Sequence, residues 1–203
     1  MAKPKTEFTV NQTIVYPSQG VGKVVDVFKR EFKGEMVYHY KIYIEVSDMT
    51  VTVPVDNAKL LGIRAIVSKA EAKKALDSIS DEYEPPTSDW KLRYQQNLDL
   101  LKKGTIGDIA AIVRCLYHRS KVKELPILER KLYENAKTLL ENEIAEAYGI
   151  ETEEVEKMLH AKLEPLGLKI EKKPVYTDED EDDDDFEDDT SASSKDNDDD
   201  DED

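Results

Sequence analysis

The hydrophobic and polar positions of residues 8–55 predict β structure, and in part of this segment they alternate with a period of two, a pattern typical of half-buried strands. The clearest run, 36–46, predicts a strand with one apolar face. A second β-rich run, 23–32, precedes it across the turn-forming segment 33–35, so the two runs predict a hairpin. The residues of the apolar face are Tyr38, Tyr40, Ile42, Ile44 and Val46.

Three shorter strands are predicted over 8–10, 13–16 and 50–54, the last ending at Pro54 because proline cannot continue a ladder. Together, the five strands predict a small, strongly bent sheet or an SH3-like barrel. So small a sheet has edges that must be covered or used for binding.

From Ser68 the pattern becomes helical. Ser68 and Glu71 fit a capping box that starts a helix running to about residue 79. The polar, proline-bearing segment 80–89 reads as a linker. Ser88 or Asp89 is then expected to cap a helix that contains Trp90 and ends at Gly104.

Three further helices follow. Thr105 is expected to cap the first, whose apolar residues share one face. Pro126 suits the first turn of a long helix that runs to Tyr148 and stops at Gly149. A last helix is expected from Thr152 to about residue 163. Amphipathic helices joined by short turns predict a compact bundle.

Charge is unevenly distributed. Residues 178–203 hold 18 Asp/Glu and one Lys, whereas the residues before them hold 27 acids and 28 bases. The chain is therefore a near-neutral body with an acidic tail. The segment 174–203 is expected to be disordered, since it cannot bury enough apolar surface to offset its ordering entropy.

The sequence carries no arrangement that points to catalysis, so no catalytic residue, metal ion or cofactor is predicted. The three histidines are far apart and lack metal-ligand spacing. The single cysteine, Cys115, excludes a disulfide framework. It is expected to be structural, although Arg114 and Arg119 nearby leave a reactive thiol as the alternative. Without a secretory signal or an apolar membrane span, a cytoplasmic protein is expected.

The helical half carries a basic cluster: the segment 90–131 has ten bases and four acids. Such a patch can neutralise phosphates, and the same composition also suits an ordinary solvated face. The only tryptophan, Trp90, lies at its start and could stack on or wedge between bases, or pack on its own bundle. The bases are Lys91, Arg93, Lys102, Lys103, Arg114, Arg119, Lys121, Lys123, Arg130 and Lys131.

Six short motifs occur in one order along residues 7–163, and together they resemble the CarD/CdnL family of bacterial RNA-polymerase-binding transcription regulators. Each motif alone is weak, whereas their order and spacing are specific. The motifs are VYPSQGVGKV (15–24), KGE (33–35), VPVDNA (53–58), W-x-x-R-Y-x-x-N-L (90–98), IVRCLYHR (112–119) and LERKLYENA (128–136).

The pattern of elements and the resemblance together predict an α+β chain with four parts, of which the acidic tail is not part of the family pattern. Residues 1–67 would form a Tudor-like barrel that docks on the RNA polymerase β subunit through a sheet edge. Residues 68–89 would be a helix and linker. Residues 90–173 would form a helical bundle that binds promoter DNA with little sequence specificity, and 174–203 the acidic tail. The protein would be a monomer, associated with the nucleoid through polymerase.

The family's functional residues carry over onto matching positions. Trp90 matches a tryptophan that wedges into the minor groove at the upstream edge of the melted bubble. The other expected DNA contacts are Lys91, Arg93, Arg114, Arg119, Arg130 and Lys131, and the expected polymerase contacts are Arg30, Val51, Thr52, Val53 and Pro54.

Two positions depart from the family pattern. Thr52 stands where relatives have arginine, so a charge contact to polymerase would be lost while backbone pairing could survive. Gln95 stands where a lysine can occur. The alternative function is a protein-interaction adaptor that does not bind DNA and that interacts with polymerase or with a transcription-repair factor. A further hypothesis is that the acidic tail competes with DNA for the basic cluster.

Overall fold

The computed structural model describes residues 6–17, 19–32, 34–81 and 87–170. Five antiparallel strands come first along the chain, and the larger helices follow. The strands are β1 (Thr13–Tyr16), β2 (Gly20–Phe32), β3 (Glu35–Ile44), β4 (Met49–Pro54) and β5 (Arg64–Ala65). The helices are α1 (Val55–Ala58), α2 (Lys69–Ser78), α3 (Trp90–Lys103), α4 (Ile106–Val122), α5 (Ile127–Tyr148) and α6 (Thr152–Ile170).

The strands form one sheet in the order β4-β3-β2-β1-β5. The predicted hairpin is present as β2 and β3, whose side chains Tyr40, Ile42 and Ile44 are fully buried on the predicted face. Val46 falls beyond the strand and is exposed. The sheet is open rather than a closed barrel, because no pairing joins β4 to β5 among the described residues.

The prediction of a strand over 8–10 is wrong. These residues form a bend and a turn, and Phe8 packs into the sheet's core while its backbone N–H donates to the Tyr40 hydroxyl at 3.1 Å. The apolar residues at positions 8 and 10 therefore do not mark a strand. Phe8 is instead a single buried side chain that holds this segment against the sheet. The two-residue β5 was missed, since so short a strand has no periodic pattern and depends on pairing with Ile14 and Val15.

The predicted helix caps are confirmed. Ser68 and Glu71 form the capping box, the Asp89 carboxylate accepts from the backbone N–H groups of Lys91 and Leu92, and Thr105 accepts from Asp108. Gly104 ends α3 with a φ of 68°. That left-handed conformation favours glycine, and a Cβ there would lie 2.8 Å from the Pro17 Cβ.

Two helix boundaries differ from expectation. Pro126 is the residue before α5 rather than part of its first turn. Helix α6 extends past the predicted end near residue 163 to Ile170, passing through Pro165. Proline removes one helical N–H there, and the helix continues across it. None of the helices among the described residues is long and apolar enough to cross a membrane.

Helices α2 to α6 share one core, so the segment predicted as a helix and linker contributes its helix to the bundle. Ala72, Leu76 and Ile79 pack with residues of α4, α5 and α6. The sheet has a second, smaller core built around β2 and β3. The acidic tail lies outside the described residues.

A set of contacts that we call the interdomain joint connects sheet and bundle. The Arg64 guanidinium donates to the Glu143 carboxylate (Nη2 to Oε2, 2.9 Å) and to the carbonyl oxygen of Gly104 (2.8 Å). Leu139 of α5 lies against Gly20 at the start of β2, where an added Cβ would meet it at 3.1 Å. The joint thus fixes the end of α3 against the sheet.

Candidate nucleic-acid and polymerase interfaces

A buried ion pair joins α3 to α5 near the first residues of both helices. Arg93 donates to Glu129 through two bonds (Nε to Oε1, 2.8 Å; Nη2 to Oε2, 2.7 Å). The two side chains are 1% and 0% exposed. Arg93 Nη1 also donates to the carbonyl oxygens of Thr87 and Ser88, at 2.5 and 3.2 Å.

This burial corrects the expectation that Arg93 contacts a DNA phosphate. Its guanidinium already serves four acceptor atoms inside the protein, and little of the side chain reaches the surface. A buried arginine needs such partners because an unpaired charge in the interior is costly. Arg93 is therefore a structural residue next to the candidate site.

The same pair brings the starts of α3 and α5 together. The end of α4 lies there too, since only the segment 123–126 separates α4 from α5. We call this end of the bundle the Trp90 end. It gathers four of the predicted DNA contacts, the half-buried Trp90 and the exposed Lys91, Arg130 and Lys131, together with Lys121 and Lys123 of the basic cluster.

Trp90 is half-buried at this end, and the Lys91 ammonium lies 5.8 Å from the centre of its ring. A cation over an indole face is a favourable contact. Leu92 and Ile127, the neighbouring apolar residues at the starts of the two helices, are 50% and 61% exposed. The tryptophan is thus partly open to solvent, with the Lys91 ammonium near its ring and exposed apolar side chains at the starts of α3 and α5.

Arg130 and Lys131 are both exposed on the first turns of α5. Arg130 donates to Glu124 at 2.6 Å, but that pair lies on the surface, where ion pairs are weak and exchange readily. Both residues can therefore approach an anion. Asp89, the nearest acid to Trp90, accepts the cap hydrogen bonds of α3.

The remaining predicted DNA contacts, and the remaining bases of the basic cluster, lie elsewhere. Arg119 is buried in α4, so the expectation that it reaches DNA does not fit its position. Arg114 is half-buried and donates to the Ser78 carbonyl at 2.8 Å, facing α2 rather than the Trp90 end. Lys102 and Lys103 lie at the opposite end of α3, about 20 Å away at 1.5 Å per residue.

The predicted polymerase contacts centre on β4, an edge strand with β3 on one side and no strand on the other among the described residues. Val53 is buried in the sheet's core, so only its main chain is available, and Val51 is partly buried. Thr52 is exposed and pairs across the ladder with Lys41, which is also exposed. Pro54 has no N–H and ends the strand.

Arg30 is exposed on β2, opposite Val37. Val37 precedes His39 by two residues, and the ladder partner of His39, Pro54, is the last residue of β4. Arg30 therefore lies on the part of the hairpin that extends past the edge strand. It belongs to the same end of the sheet as Pro54, two strands away.

Cys115 is buried and lies 3.7 Å from the side-chain nitrogen of Asn97, a position that favours the structural role over a reactive thiol. Burial, together with the charge of Arg119, lowers the pKa of His118 below its usual value. Among the described residues, no group of three or more His, Cys, Asp or Glu could hold a metal ion.

The sequence prediction did not identify Glu129 as a buried residue, although the apolar periodicity of α5 indicates its burial. Glu129 precedes Leu132, Ala136 and Leu140 on the buried stripe of α5. Arg93, Asn97 and Leu101 likewise recur every fourth residue on the buried face of α3. A charged residue in phase with an apolar stripe indicates a buried partner.

Comparison with known proteins agrees with both halves of this arrangement. Residues 8–67 match the model of the CarD-like/TRCF RID domain, and residues 74–160 match the CarD C-terminal domain. The candidate transcription factor YdeB of Bacillus subtilis (strain 168) is 30% identical over 148 residues, which span 73% of this chain and 97% of that protein.

The chain belongs to the CarD family. Membership confirms the resemblance seen in the motifs. It makes the protein a transcription-associated regulator that interacts with RNA polymerase, in a family that is not a known enzyme class. The boundary between the two matched domains falls at the start of α2, close to the change from strand to helix in the sequence.

Proposed function

We propose that the protein docks on the RNA polymerase β subunit through the β4 edge and stabilises the open promoter complex with the Trp90 end. The observation that carries the proposal is the placement of Trp90. It is the chain's only tryptophan, it is half-exposed at the tip of the bundle, and Lys91, Arg130 and Lys131 lie at the same end.

Docking through β4 rests on the free outer side of that strand. A partner strand would gain main-chain hydrogen bonds there, a mode of binding that tolerates a change such as Thr52 for arginine. The exposed Lys41 beside Thr52 would supply a cation on the same face of the sheet. Arg30 would contact the partner from the projecting hairpin.

Stabilisation of the open complex rests on differential binding. The few exposed bases of the Trp90 end would bind duplex DNA weakly and with strong salt dependence. Attachment to polymerase raises their effective concentration at the promoter. A side chain shifts an equilibrium only by its preference for one state. Trp90 would supply that preference by wedging between base steps that are already distorted.

The interdomain joint would make the two surfaces act together. Arg64 ties the end of α3 to the sheet, and Trp90 lies at the other end of the same helix. Docking of the sheet would therefore place Trp90 at a set position on the DNA. No sequence-specific contact is required by this scheme.

The second candidate function is an adaptor whose helices bind protein rather than DNA. The exposed Leu92 and Ile127 favour it, because exposed apolar side chains grouped at one site mark protein interaction surfaces. DNA binding depends steeply on salt, whereas an apolar protein contact does not. The two functions therefore differ in a measurable way.

A promoter-melting assay with purified polymerase tests the proposal with three chains: wild type, Trp90→Ala and Arg30→Glu. Trp90→Ala should lose melting while still binding polymerase, and Arg30→Glu should weaken polymerase binding itself. Leu60→Ala, which removes an exposed apolar side chain of the sheet domain, should match wild type. Unchanged melting by Trp90→Ala would favour the adaptor.

A further inference from the structure

Arg93 connects three parts of the bundle. Two of its nitrogens bond to Glu129 on α5, a third bonds to the carbonyls of Thr87 and Ser88, and its own backbone belongs to α3. Thr87 and Ser88 precede Trp90 by three and two residues, and Arg93 follows it by three. The tryptophan therefore lies between two points that one side chain holds.

The stability of the fold does not by itself explain such a pair. Two buried charges lose their hydration, and well-packed apolar side chains of similar volume are often as stabilising or more so. The pair does something that apolar residues cannot do: its planar guanidinium binds carboxylate and carbonyl oxygens in fixed directions. Its distinguishing contribution is thus geometric.

We infer that the Arg93–Glu129 pair positions Trp90. Glu129 fixes the guanidinium, and the guanidinium fixes the chain at Thr87 and Ser88. That segment and the Asp89 cap then hold the first turn of α3, from which Trp90 projects. The consequence for open promoter DNA rests on the function proposed above, whereas the positioning itself can be measured on the free protein.

The single tryptophan makes the measurement direct, because fluorescence excited at the red edge of the indole absorption, where the ten tyrosines do not absorb, reports Trp90 alone. In the double variant Arg93→Met/Glu129→Leu, apolar groups replace the pair, so the fold should persist with similar resistance to urea. Both carbonyl contacts are lost. The acrylamide quenching constant of Trp90 should then rise by about twofold as a half-buried ring becomes mobile.

The interdomain joint offers a matched control. Arg64 also forms two bonds to a glutamate and donates to a backbone carbonyl, but at the opposite end of α3. Arg64→Met/Glu143→Leu should leave Trp90 quenching at the wild-type value. A rise of equal size in both double variants would overturn the inference, since general loosening would then explain it.

Arg93→Lys provides a second variant in case the apolar pair prevents folding. Lysine keeps the charge opposite Glu129 but cannot also reach both carbonyls in a fixed fork. Quenching of Trp90 should again rise, while a folded Arg93→Lys chain with wild-type quenching would overturn the inference.

Open-complex lifetime with polymerase separates positioning from function. We expect Arg93→Met/Glu129→Leu to shorten the lifetime as much as Trp90→Ala does. If quenching rises but Trp90→Ala itself leaves the lifetime unchanged, the positioning stands and the proposed function fails. If Trp90→Ala shortens the lifetime and the double variant does not, the inference fails and the proposed function stands.

Discussion

Helix α3 is held at each end by an arginine–glutamate pair, and the two pairs differ in what they join. At its C-terminal end, Arg64 and Glu143 link the sheet to the bundle, with side chains 27% and 5% exposed. At its N-terminal end, Arg93 and Glu129 are almost fully buried within the bundle. One pair orients two domains, and the other holds the segment that carries Trp90.

The difference shows that charge in a sequence does not reveal which bases form a binding surface. Of the two arginines predicted to contact DNA from α3 and α5, Arg93 is buried and Arg130 is exposed. Whether each arginine is buried depends on its phase relative to the apolar stripe of its helix. Surface bases are those out of phase with that stripe.

The largest expected effect comes from breaking the more buried pair. Glu129→Ala leaves the Arg93 charge uncompensated in the interior and should lower the free energy of unfolding by about 3–5 kcal/mol. Urea denaturation measures the loss. Glu134→Ala, which removes an exposed acid from the same helix, should change stability by less than about 0.5 kcal/mol. Equal effects of the two substitutions would contradict this account.

Breaking the pair at the interdomain joint should cost less. Arg64→Ala removes hydrogen bonds to a carboxylate and to the Gly104 carbonyl, and it should lower the free energy of unfolding by about 2 kcal/mol. Arg64 is partly exposed, so water can replace some of these bonds. A loss as large as that of Glu129→Ala would mean that burial does not distinguish the two pairs.

The two ends of α3 should also differ in DNA binding. Lys91→Gln at the Trp90 end should reduce the slope of log affinity against log salt by about 1, since one phosphate contact disappears. Lys103→Gln, at the end next to the joint, removes the same charge from the same helix and should leave the slope unchanged. Salt titrations with duplex DNA measure both. Equal slopes would remove the distinction between the ends.

Deleting residues 178–203 should have the smallest effect and act only at the Trp90 end. If the acidic tail competes with DNA, the truncated chain should bind duplex DNA several-fold more tightly at low salt, and the difference should vanish at high salt through screening. Combining the deletion with Lys91→Gln should reduce the gain. No change at low salt would leave the tail without a role in DNA binding.

Much of this structure could be predicted from local patterns. The β2–β3 hairpin, the capping box at Ser68 and the caps at Asp89 and Thr105 all follow from short-range chemistry. Gly104 and Gly149 ended their helices as expected, because both take up the left-handed conformation. These features depend on neighbouring residues, so the sequence alone specifies them.

Features that depend on distant residues were harder to predict. The two-residue β5 exists because β1 pairs with it, and the open sheet rather than a barrel is a matter of which edges meet. The resemblance predicts a DNA contact at Arg93, and that prediction is wrong because Arg93 bonds to a partner 36 residues away that no local pattern identifies. Its phase on α3 nevertheless carried the information that it is buried.

The most direct test of the central claim is the lifetime of the open promoter complex, measured after a competitor challenge at saturating protein. If Trp90 favours open over closed DNA by about 1.4 kcal/mol, Trp90→Ala should shorten that lifetime about tenfold. Polymerase binding should stay at the wild-type level, and the free energy of unfolding should change little. A wild-type lifetime with Trp90→Ala would contradict the assignment of the Trp90 end to DNA.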